Sequence, residues 1–86
     1  MDIQQQFSEA VADSKSLDNK PSNDILLKLY ALFKQGTLGN TVADAAPNPF
    51  DFVSKFKHEA WAKLNGMSQQ DAMQQYVDLV KELKAQ

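Results

Sequence analysis

The chain has 86 residues, 43% apolar and 23% charged, with nine basic and eleven acidic side chains, one His and no Cys. That length permits one domain with a modest core, and the composition is that of a folded soluble chain, not a disordered one. A net charge of −2 argues against general nucleic-acid binding, and the lack of Cys excludes disulfides and thiolate chemistry.

The opening residues Met1 to Gln6 lack the basic-then-apolar pattern of a signal segment. No apolar run approaches the ~20 residues of a bilayer span. A cytoplasmic protein without stable membrane insertion is therefore expected. The first predicted helix runs from about Ile3 to Ser16, where Ile3, Phe7, Ala10, Val11 and Ser14 form one stripe. Leu17 to Pro21 reads as a loop, because Pro21 cannot continue a helix. A second helix is expected from about Ser22 to Gln35, capped by Ser22 or Asn23 and stopped by Gly36 and Gly39. Its apolar face is Ile25, Leu26, Leu29, Leu32 and Phe33. Thr37 to Phe50, with Pro47 and Pro49, is the longest irregular stretch, of a length that is often functional and equally a plain crossover.

Asp51 and Gly66 bracket a third helix, from about Asp51 to Asn65, with Phe52, Val53, Phe56, Ala60 and Leu64 as its expected inner face. The fourth begins at Ser68, whose spacing to Asp71 resembles a capping box. Ala72, Met73, Tyr76, Val77, Leu79, Val80 and Leu83 face inward, and Lys81 and Lys84 suit the helix C-terminus. Four amphipathic helices of three to four turns imply an all-α four-helix bundle.

Two lysines stand out of place on the helical wheels. With Phe52 at zero, Lys57 falls at about 140° between Leu64 and Trp61; with Leu26 at zero, Lys34 falls near 80° between Tyr30 and Leu27. Tyr30 and Lys34 are i, i+4 neighbours that can reach one point. Both lysines could simply cover apolar surface with their stems. Alternatively they form a shared anion site of two ammoniums and a phenol beside aromatic surface, which describes a phosphate bearing an aromatic base. Every basic residue is Lys, so such a site has point charges and no guanidinium forks. Tyr76 is another ring with a polar tip, or a core-edge tyrosine. Leu27 is an ordinary exposed leucine or a contact for an apolar tail.

Enzyme chemistry finds little support. His58 is the single His, so no His cluster for a metal exists. No Ser/His/Asp arrangement and no phosphate-cradling glycine loop is present. The expectation is a protein with no catalytic residue, no metal and no resident cofactor.

YALFKQGTLG (30–39) resembles the YxxYKQATxG signature of acyl-CoA-binding proteins, DFVSKFKHEAWAKLNG (51–66) resembles their DFxxKxKWDAWxxLKG stretch, and SQQDAMQQYVDLV (68–80) resembles SKEDAMxxYIxxV. The spacing of Phe7, Leu17, Lys20 and Pro21 also fits. The resemblance covers essentially the whole chain, implying a single acyl-CoA-binding domain over residues 1–86 with up-down-down-up topology. It implies non-covalent binding of medium- and long-chain fatty acyl-CoA by a monomeric pool former and carrier, with acyl-CoA-using enzymes as partners. Lys34 and Lys57 align with the family's phosphate ligands, with Tyr30 beside them, and Lys15 with a further head-group contact. Tyr76 and the stretch Tyr30, Ala31, Leu32, Phe33 and Lys34 align with the nucleotide pocket; Leu26 and Leu27 match positions near the acyl chain. Phe33 stands where the family has a second Tyr, His58 where it has Trp, Gly36 for Ala and Asn40 for Asp, and the loop before Phe50 is slightly longer. The reading from another class is a non-enzymatic helical adaptor whose groove takes a partner's amphipathic helix.

Overall fold

The computed structural model describes residues 2–40 and 51–85. Among them every regular element is a helix: α1 (Ile3–Ser14), α2 (Asn23–Leu38), α3 (Phe52–Ala62) and α4 (Gln69–Lys84). Each begins at a side-chain cap. Asp2 accepts from Gln5, Ser22 from Ile25, Asp51 from Ser54 and Ser68 from Asp71, satisfying donors that an open helix start leaves orphaned. The expected boundaries hold within a few residues, except at Gly36.

Gly36 does not stop α2. It is buried inside the helix, where a Cβ would meet Met73 Cγ at 3.2 Å and Phe7 Cζ at 3.5 Å. The turn that ends α2 is Gly39, whose φ of 81° suits glycine alone among common residues. At position 36 the glycine lies against neighbouring helices, with the flexible Met73 side chain nearest; at position 39 glycine serves backbone conformation. Thr37 and Leu38 are therefore helical, and the rest of the expected irregular stretch, residues 41–50 with Pro47 and Pro49, lies outside the described residues.

Cross-helix contacts set the directions. Phe7 lies against Tyr76 and Asp13 against Lys84, so α1 and α4 run parallel. Thr37 meets Gln69 and Gly36 meets Met73, so α2 runs antiparallel to α4. Leu27 faces Val53 and Phe56 while Gln35 meets Trp61, so α2 and α3 run parallel. The order is up-down-down-up. The core gathers Phe7, Ala10, Leu29, Leu32, Ala72, Tyr76, Val77, Leu79 and Val80 from α1, α2 and α4. No described helix is long and apolar enough to cross a membrane.

α3 departs from its expected packing. It contacts α2 alone among the helices. Its one buried residue is Trp61, while Phe52, Val53 and Phe56 are 65%, 63% and 56% exposed. The apolar count of the wheel favoured the Phe52 stripe. A single indole with two hydrogen bonds outweighs that stripe, because α3 has only one neighbour to pack on. Leu64, just past the helix, does pack against the core.

Candidate functional site

Two helices carry the misplaced lysines to one ring. Tyr30 and Lys34 stand one turn apart on α2, and Lys34 Nζ lies 5.7 Å from the Tyr30 ring centroid. Lys57 arrives from α3, with its Nζ 5.4 Å from the same centroid. Both distances are within cation–π range. Among the described residues the ion pair present joins Lys84 to Asp13, on the α1–α4 side of the molecule. Among the described residues neither ammonium over Tyr30 has a carboxylate within ion-pair distance, although Asp51 lies near enough to feel the Lys57 charge, and both positive charges stand beside one ring. A multiply charged anion is the complement of such a pair.

Parallel packing of α2 and α3 leaves a groove of about 330 Å3 beside this point. Its walls are Leu26 and Leu27 from α2 and Val53 and Phe56 from α3, with Asn23 and Lys57 as the polar members. A second groove, about 280 Å3, lies on the other flank of α2 toward α1 and α4. Ser14, Lys15, Tyr30, Phe33 and Tyr76 line it, and Leu26 borders both grooves. The surface therefore combines paired cations, aromatic rings and apolar walls on neighbouring faces of one helix.

The structure brings Lys15, Leu26, Leu27, Tyr30, Phe33, Lys57 and Tyr76 to these two grooves, with Lys34 at the shared ring. It does not bring Ala31 or Leu32, which are 3% and 1% exposed. Leu32 belongs to the core, so its contribution is to hold α2 rather than to touch a ligand. Tyr76 is buried; its hydroxyl donates to Ser14 Oγ at 3.0 Å, and its ring meets Phe7 edge-on at 5.1 Å. It forms floor rather than wall. Phe33 stacks on Phe7 at 6.0 Å, so the ring keeps its place without a hydroxyl.

Val53, Phe56 and Asn23 belong to the groove and were not read as site residues from the sequence. Val53 near 100° on the α3 wheel, adjoining Lys57, was the available signal. His58 makes an edge contact with Trp61 at 6.3 Å. Asn40 works structurally: its Oδ1 accepts from Gln35 Nε2 at 2.9 Å and from the Gly66 N–H at 2.8 Å. No group of His, Cys, Asp and Glu among the described residues could hold a metal ion. Asp51 is held below its ordinary carboxylate value of 3.8, chiefly by the Ser54 N–H and then by the Ser54 hydroxyl.

Known proteins are similar to this chain in sequence and in fold. The family model described as acyl CoA binding protein matches residues 4–80. An acyl-CoA-binding protein homolog 1 from Caenorhabditis elegans is 51% identical over 79 residues, covering 92% of this chain and 91% of that protein. The acyl-CoA-binding protein of Saccharomyces cerevisiae is 42% identical over 83 residues, covering 96% and 94%. The crystal structure of Oryza sativa acyl-CoA-binding protein 2 matches with a TM-score of 0.87 at 35% identity, over 95% of this chain and 90% of that one.

Proposed function

The chain belongs to the acyl-CoA-binding protein family and is a carrier that binds acyl-CoA, and we propose that it holds medium- and long-chain esters through the two grooves and the Tyr30 ring, without chemical change. The convergence of Lys34 and Lys57 on that ring supports this reading most directly. In it the 3′-phosphate of coenzyme A pairs with both ammoniums and accepts from the Tyr30 hydroxyl. Charge-assisted bonds of this kind contribute about 1.5–3 kcal/mol each.

The adenine lies against rings of the second groove, near Tyr30 and Phe33, with Lys15 at its edge. Stacking of a base on an aromatic ring contributes about 1–3 kcal/mol. The acyl chain follows Leu26, Leu27, Val53 and Phe56. Burial there is worth at most about 0.8 kcal/mol per methylene, reduced by the ordering of the chain and by its partial exposure. The head group thus selects the ligand class and the tail grades its members. We read the protein as a cytoplasmic monomer that performs no reaction and hands its cargo to acyl-CoA-using enzymes.

A competition titration tests this directly. Palmitoyl-CoA is expected to bind at least about tenfold more tightly than its 3′-dephospho form, since one tenfold step is 1.4 kcal/mol and two charged contacts are lost. Equal affinities would remove the phosphate from the site.

A further inference from the structure

We propose that Asn23 determines the preferred acyl-chain length, by closing the far end of the α2–α3 groove with a polar amide. This rests on the acyl-groove reading above. Because α2 and α3 run parallel, order along the chain is order along the groove. Lys57, over Tyr30, marks one end; Asn23, at the start of α2, marks the other. Seven residues separate Asn23 from Tyr30, about two turns or roughly 10 Å of helix axis. Between these polar ends the walls are Leu26, Leu27, Val53 and Phe56.

A hydrocarbon chain laid along this floor gains up to about fourfold in affinity per buried methylene. The gain stops at Asn23. A methylene placed there strips water from a carboxamide to which no other described residue gives a hydrogen bond. The amide is also free of structural duty. The cap of α2 is Ser22, whose Oγ accepts from the Ile25 N–H at 3.3 Å, so the helix begins without help from the Asn23 side chain. A polar group that does not cap its helix, receives no hydrogen bond from another described residue and stands at the end of the apolar walls is placed to set a limit on what the trough accepts.

The test is a calorimetric series of saturated acyl-CoA esters from two to twenty carbons, on the full chain and on Asn23→Leu and Asn23→Asp. The wild-type affinity is expected to climb and then level. Asn23→Leu should move the levelling point to longer chains and raise affinity for the longest esters about fivefold or more, with the two- and four-carbon esters changed less than about twofold. Asn23→Asp should weaken the longest esters about threefold or more, because an ionised carboxylate is costlier to dry. If the wild-type series climbs and levels but both variants trace the same curve, or if it climbs without levelling, Asn23 sets no limit and the groove reading stands. A flat wild-type series removes the groove itself.

Discussion

Trp61 donates its indole N–H to the side-chain oxygen of Gln35 at 3.1 Å and to the Gly39 carbonyl at 2.8 Å. This pairing anchors the C-terminal end of α3 on the C-terminal end of α2. The opposite end of α3, with Val53 and Phe56, is left to wall a groove. With that end of α3 fixed by the buried pair, its apolar start stays outside the core and exposed.

Gln35 is fully buried, and its Nε2 donates to the Met67 carbonyl at 2.8 Å and to Asn40 Oδ1 at 2.9 Å. Gln35→Leu leaves the Met67 carbonyl without that donor in a dry setting and is expected to cost about 2–3 kcal/mol. Urea unfolding should show a lower midpoint at unchanged slope. A loss below about 0.5 kcal/mol would mean that water replaces the amide at no cost.

Lys34→Ala and Lys57→Ala should each weaken palmitoyl-CoA binding by about tenfold or more. The double variant should depart from additivity by about 0.5 kcal/mol or more, since both ammoniums address one anion. Stability should stay within about 0.5 kcal/mol for Lys57→Ala, because the cation–π contact of an exposed lysine is small and the nearby Lys34 ammonium offsets it. Full affinity in either variant would show that its lysine serves only to cover apolar surface.

Gly36→Ala should stabilise the fold by about 0.4–1 kcal/mol. Alanine lowers the entropy of the unfolded chain and favours the helix. The close neighbour of its methyl would be Met73 Cγ, on a flexible, half-buried side chain that can move by tenths of an ångström. Thermal unfolding reads the outcome; a fall in midpoint would mean that Met73 is held too tightly to yield.

The lowered Asp51 carboxyl has a defined pH consequence. Its folded pKa lies below the ordinary 3.8, so the stability it contributes is complete above that value and is lost as pH falls through the folded one. Asp51→Asn should match the wild type at pH 7, since Asn caps as well as Asp. It should also lose less α3 protection in acid. Hydrogen exchange of the Ser54 amide at pH 3 and pH 7 makes the comparison, and equal acid sensitivity in both proteins would assign the acid loss to other groups.

The caps at Ser22, Asp51 and Ser68, the inward stripes of α1 and α4 and the oddness of Lys34 and Lys57 were all legible in the sequence. Each depends on neighbours within a few residues, and local spacing reports such neighbours faithfully. What α3 buries was not legible. Which side of an amphipathic helix faces inward depends on how many partners it has, and α3 has only α2. Gly36 carried the same ambiguity, because a glycine that ends a helix and one buried inside it look alike until the neighbouring helix is known. The meetings of Trp61 with Gln35 and of Lys57 with Tyr30 across two parallel helices are likewise products of packing, whereas the burial of Leu32 already followed from its place on the apolar face of α2. These meetings join residues far apart in the chain, and only the folded arrangement brings those residues together.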